Sequence, residues 1–134
     1  MNSPVEVELS EGDAVVITGG CRFHVVTRDR AGEKAACPVH LLESSLGACI
    51  ALTLDAVAKH KNIDIKGLKV RLERRQEEDG TRFSVYIQNP DNSLTERERK
   101  ILYRCAQLCE VGKILKSNIS IDYHFDAIVS GNKS

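Results

Sequence analysis

Between Pro38 and Lys61 the chain is apolar or small on almost every side, and this segment limits the fold more than any other. Leu42, Leu46, Cys49, Thr53 and Val57 recur three or four residues apart, the spacing that places side chains along one face of an α-helix. Leu41, Ile50, Leu52 and Leu54 cover much of the remaining circumference. A helix that is apolar on most sides between residues 46 and 58 has to be central, wrapped by other elements or by a second subunit. Pro38 suits its first position, where a fixed φ fits the helix and a missing N–H costs nothing. Cys37 then falls at the N-cap, where the helix dipole favours a thiolate, although a buried thiol merely filling the cap accounts for it equally well.

Strands precede and follow this helix. Val5, Val7 and Leu9 alternate with Glu6 and Glu8, and β-branched runs at Ala14–Thr18 and Arg22–Arg28 flank a Gly19-Gly20 turn. The polar stretch Arg28–Lys34 is a loop leading into the helix. After Asn62 the period becomes two: Leu68, Val70 and Leu72 face one way, and Phe83, Val85 and Ile87 form a second strand across an Asp79-Gly80 turn. Thr95 and Glu98 form a capping box opening a second helix, with Ile101, Leu102, Cys105, Leu108 and Cys109 as its apolar stripe. Gly112 ends or kinks that helix, a last strand is expected near Ile119, Ile121 and Tyr123, and the tail from Asp126 is expected to be loosely held. The whole, residues 1–134, reads as one α+β domain without repeat or linker.

Composition narrows the function. With 19 basic and 19 acidic residues the net charge is zero, which removes the electrostatic drive for nucleic-acid binding. Three Phe, three Tyr and no Trp leave too few rings for base stacking. The N-terminus lacks a signal-peptide pattern, and the uncharged run Ser44–Leu54 is shorter than the ~20 residues a membrane span takes. A cytoplasmic protein without membrane attachment is therefore expected, and in that reducing setting five cysteines are not a disulfide scaffold.

Cys49 and Cys109 both fall on the apolar stripes of the two predicted helices. Facing helices can bring Cβ atoms to the ~3.8 Å a disulfide needs, whereas Cys105 and Cys109, four apart on one helix, sit at ~5–6 Å. Cys49 with Cys109 is thus the redox pair the pattern allows, the alternative being two small core hydrophobes. A zinc site from Cys105, Cys109, Cys37 and His124 lacks the short Cys-x-x-Cys knuckle that compact structural sites present, so no metal is expected. The mixed charges of Lys69–Arg82 fit a solvated strand face better than a docking strip.

The run Pro38-Val39-His40-Leu41-Leu42-Glu43-Ser44-Ser45-Leu46-Gly47-Ala48-Cys49 resembles the cysteine helix of the OsmC/Ohr family, the osmotically induced and organic-hydroperoxide-resistance proteins. Cys109-Glu110-Val111-Gly112-Lys113-Ile114-Leu115 resembles that family's second cysteine motif, and the order of elements agrees from about Glu11 to Phe125. The resemblance implies an OsmC-like fold, an intertwined homodimer with long helices buried between wrapped sheets, and an active site at the subunit interface. It also implies a thiol-dependent peroxidase acting on hydroperoxides, organic ones first, without metal or flavin. Carried over, Cys49 is the peroxidatic thiolate, Cys109 resolves its sulfenic acid to a disulfide, and an external dithiol of lipoyl type restores both.

A thiolate in apolar surroundings needs a cationic neighbour. Active relatives supply an arginine held by a glutamate near the start of the helix, but here the matching positions are Val39 and His40, and Glu110 stands where the second motif has proline. These departures align the chain with the divergent OsmC-like branch. Arg22, Arg28 and Arg30 precede the helix, and Arg28 and His40 are the candidates for stabilising the Cys49 thiolate. The competing function is a non-catalytic dimer that binds an apolar small molecule at its interface, with the cysteines reduced to packing.

Overall fold

The computed structural model of the chain describes residues 4–31, 35–90 and 93–125. Three strands, β1 (Glu6–Ser10), β2 (Asp13–Thr18) and β3 (Cys21–Val25), are followed by a 3₁₀ turn at Arg28–Arg30 and the long helix α1 (Pro38–Lys61). The hairpin β4 (Lys69–Glu77) and β5 (Gly80–Gln88) comes next, then α2 (Glu96–Ala106) and α3 (Glu110–Lys116). The fold is α+β, with antiparallel sheets of order β1-β2-β3 and β4-β5. Thr18 pairs with Cys21 across Gly19-Gly20, whose φ values of 51° and 82° suit the tight turn that the right-handed twist of the strands prefers. The second hairpin turns at Glu78-Asp79, one residue earlier than Asp79-Gly80, because Glu77 pairs with Gly80.

Helix α1 has the length expected of it, and Cys37 is its N-cap with no side-chain cap bond. It ends at Asn62, whose left-handed backbone (φ 57°) directs its N–H to the Ala58 carbonyl, with Lys59, His60 and Lys61 in the last turn complementing the negative end of the dipole. The buried face is Leu46, Gly47, Ile50, Leu54 and Ala58, which corrects the stripe Leu42, Leu46, Cys49, Thr53 and Val57 by a small rotation. Leu42 is exposed, while Cys49, Thr53 and Val57 are half-buried along the edge of the packed face. The rotation follows from β4: a Cβ on Gly47 would lie 2.8 Å from Leu72 Cδ1, so the bare glycine lets the sheet settle on that side of the helix.

Leu46, Ile50, Leu54 and Ala58 join Ile63, Leu102, Ala106 and Cys109 in one buried cluster. The opposite side of α1 is bare, with Ala48, Leu52 and Ala56 exposed and Leu52 69% accessible. By length and composition alone α1 can cross a bilayer, more than the uncharged run suggested, but 22% of that window is buried inside the chain's own fold.

Two expectations are corrected. The apolar period of the second helix runs on through Leu108 and Cys109, yet α2 stops at Ala106, Leu108 is exposed, and Cys109 opens a separate helix with Gly112 inside it. The break is made by i→i+3 bonds, Gln107 N–H to Arg104 O and Leu108 N–H to Cys105 O, which tighten the end of α2. The strand expected near Ile119, Ile121 and Tyr123 is not formed among the described residues: these side chains are 56%, 66% and 87% exposed. An alternating apolar segment becomes a strand only beside another strand edge, and no strand among the described residues pairs with it. The tail from Asp126 lies outside the described residues, as do residues 32–34 within the Arg28–Lys34 loop.

The capping box at α2 is present in both directions, Thr95 Oγ1 accepting from the Glu98 N–H at 3.1 Å and Glu98 accepting from the Thr95 N–H at 3.0 Å. Thr95→Ala is expected to lower the unfolding free energy by about 1 kcal/mol. Urea titration at neutral pH measures it, and Thr95→Ser should restore most of the loss.

Candidate functional site

Two of the five cysteines meet where α1 and α3 pack. Cys109 is 2% exposed, and as the N-cap of α3 its Sγ accepts the Gly112 N–H at 3.3 Å. Cys49, half-buried on the edge of α1, lies beside the Cys109 side chain, and both thiols are free. Where the sequence suggests two facing helices, Cys49 lies on a helix and Cys109 at the first turn of a short second one.

Backbone geometry sets the chemistry of the pair. The Val111 N–H donates to the Cys49 sulfur and holds that thiol below the ordinary cysteine range; burial works against it, and the Cys109 side chain, the Glu110 N–H and the Thr53 hydroxyl add to the lowering. Burial pushes the Cys109 thiol up, the Gly112 N–H opposes this, the Cys49 partner raises it further, and the charge of Lys116 pulls it back. The two thiols are therefore shifted in opposite directions. Thr53 Oγ1 also donates to the Cys49 carbonyl at 2.8 Å.

The sign of the split gives a pH prediction. A lowered pKa means that Cys49 becomes a thiolate, and alkylates, at lower pH than an ordinary cysteine, whereas Cys109 does so at higher pH. Iodoacetamide rate against pH, read by peptide mass, should give Cys49 the earlier midpoint, and Thr53→Val should move that midpoint upward.

The other candidates lie elsewhere. Arg28 sits in the exposed 3₁₀ turn and His40 is exposed on the first turn of α1, its carbonyl accepting from Ser44 Oγ at 2.6 Å. Neither is among the groups that act on the Cys49 thiol. Arg30 is paired with Asp13 at 2.8 Å, and Asp13 also meets His24 at 3.1 Å. Glu43, which nothing in the sequence singles out, joins α1 to β4 through Arg74 at 2.8 Å. Cys37 is buried, Cys21 exposed, and Cys105 half-buried against the core cluster. Among the described residues no three His, Cys, Asp or Glu side chains converge to hold a metal. Backbone donors at Val111 and Glu110 have no signature in sequence, because their aim depends on where α3 begins; Lys116, one residue past the second motif, is a charge the spacing does not mark.

A cavity of 1120 Å³ lies between the β4–β5 hairpin, α1 and α2, and its wall includes Leu46, Ile50, Phe83, Leu102, Cys109 and Gly112. Cys49 is not part of that wall.

A family model described as "OsmC-like protein" matches residues 31–124. Among solved structures, an OsmC-like protein from Mycoplasma pneumoniae superposes with a TM-score of 0.67 at 20% identity, covering 87% of this chain and 88% of that one. The organic hydroperoxide resistance protein OhrB of Bacillus subtilis gives 0.57 at 20% identity over 88% and 93%. The organic hydroperoxide resistance protein OsmC from Legionella pneumophila gives 0.57 at 19% over 88% and 91%. At these identities the likeness is one of fold. No curated protein sequence matches the chain.

Proposed function

Since this chain belongs to the OsmC-like family, with the family model spanning residues 31–124, we propose that it is a thiol-dependent peroxidase that reduces organic hydroperoxides. The observation that carries the proposal is the adjacent Cys49 and Cys109 pair, with Cys49 lowered by backbone donors and Cys109 raised by burial. Solved neighbours named for organic hydroperoxide resistance support the same reading.

In the proposed cycle the Cys49 thiolate attacks the terminal peroxide oxygen, the O–O bond breaks, and the alcohol leaves after taking a proton. Cys49 becomes a sulfenic acid. The Cys109 thiol attacks that sulfur, water leaves, and a Cys49–Cys109 disulfide forms. An external dithiol, of lipoyl type by resemblance, returns both thiols and is itself oxidised. The Val111 and Glu110 N–H groups and the Thr53 hydroxyl take the part of the absent carboxylate-held arginine, with Arg28 and His40 available only if a second copy brings them close. The bare face of α1 around Leu52 and the apolar segment Ile119–Phe125 support a homodimer as the working form.

Consumption of tert-butyl hydroperoxide with dithiothreitol as reductant tests the proposal. The account predicts catalytic, saturable loss of peroxide at neutral pH; a rate no greater than the protein-free blank would overturn it. The cavity supports a second reading, a non-catalytic binder of an apolar small molecule, which gains ground only in that second case.

A further inference from the structure

Cys109 is one of the residues that line the cavity, and Cys49 is not. Leu46 and Ile50 of that wall lie on the packed side of α1, whereas Cys49 lies at the margin between that side and the bare face of Ala48 and Leu52.

Gly112 keeps the cavity side open. It sits inside a seven-residue helix, where glycine costs about 1 kcal/mol against alanine. A Cβ there would lie 3.1 Å from Cys109 Sγ and 3.8 Å from Leu46 Cδ1, projecting between the thiol and the leucine of the cavity wall. The absent side chain thus leaves room at the sulfur of Cys109.

We infer that the external dithiol enters through this apolar cavity and attacks Cys109, not Cys49, making Gly112 the residue that keeps the route open. The inference rests on the peroxidase reading above and specifies its reductive half. One reductant thiolate bonds to Cys109 Sγ, the Cys49–Cys109 bond breaks, and Cys49 leaves with the electron pair as a thiolate. The reductant's second thiol, losing its proton, then attacks the mixed disulfide, so that Cys109 leaves, is reprotonated, and the reductant departs as a disulfide. Chemistry favours this direction: the thiol of lower pKa leaves faster, and the departing Cys49 sulfur is received by the Val111 and Glu110 N–H groups and the Thr53 hydroxyl. Lys116, whose charge already acts on Cys109, favours the incoming thiolate. The apolar wall fits a reductant with a hydrocarbon body.

To test the attack site apart from peroxide chemistry, the bridge is formed with diamide, opened briefly with a limiting amount of benzyl mercaptan, and quenched with excess N-ethylmaleimide to trap the released thiol. Peptide mass mapping should then place the benzyl adduct on Cys109 and the maleimide on Cys49, with a preference of about tenfold or more. Adduct on Cys49, an even split, or failure of diamide to form the bridge would overturn the inference. Gly112→Ala should slow opening severalfold, and an unchanged rate would equally count against the route. If hydroperoxide leaves the thiols untouched while the diamide bridge opens at Cys109, the peroxidase reading fails and the attack site stands.

Discussion

Cys49→Ser is expected to abolish hydroperoxide turnover, a loss of about a thousandfold or more, because a serine hydroxyl is not ionised near neutral pH and is a far poorer nucleophile toward peroxide oxygen. The donors that hold the Cys49 thiol below the ordinary range cannot bring a hydroxyl into the same range. Cys109→Ser should behave differently. Its Cys49 still reacts once, so a single equivalent of peroxide is consumed and a sulfenic acid accumulates that dimedone can label. Stopped-flow peroxide consumption separates the two variants: no burst for the first, one burst without turnover for the second. Equal bursts in both would remove Cys49 from the nucleophile's role.

The largest stability effect is expected at Leu54, which is fully buried at the centre of α1 and packs within the cluster that includes Ile50, Ile63 and Leu102. Leu54→Ala removes the side chain's transfer energy and leaves a cavity that a helix fixed by packing on both sides of the position closes poorly. The cost should be about 3–5 kcal/mol, toward the upper end of such substitutions. That is a large share of the roughly 5–15 kcal/mol that holds a domain together, and the thermal midpoint should fall by about 10 °C or more. Leu52→Ala, two residues away on the bare face, is the control. It should cost a single chain less than about 0.5 kcal/mol yet weaken self-association if that face is covered by a second copy. Urea titration and sedimentation at matched concentrations measure both effects.

The parts of the fold written in the sequence are those fixed by local chemistry. Pro38 and the run of apolar residues set the start and length of α1; Thr95 and Glu98 set the start of α2; Gly19-Gly20 sets a turn. The end of α2 is not legible, because Leu108 and Cys109 continue the helical period and no Gly or Pro interrupts it. The helix is broken there by the i→i+3 bonds that close α2, after which Cys109 caps Gly112 and lies beside Cys49 at the α1–α3 contact. The alternating segment Ile119–Tyr123 is legible as strand material, but a strand exists only with a neighbour, which the described residues do not supply. The same distinction holds at the site. The two cysteines stand out by position on apolar stripes and by their motifs, whereas the groups that tune them are backbone N–H donors and a threonine hydroxyl placed by packing. Arg28 and His40 are the cationic side chains that the sequence offers, whereas the lowering of Cys49 comes from Val111 first.

The pairing of Cys49 with Cys109 under peroxide is the claim on which the rest depends, and intact mass with peptide mapping after one equivalent of an organic hydroperoxide tests it most directly. The account predicts a loss of two hydrogens from the chain, localised to a peptide bridged between Cys49 and Cys109, with Cys21, Cys37 and Cys105 still reduced. An unchanged mass with both thiols free, or a bridge through any other cysteine, would contradict it.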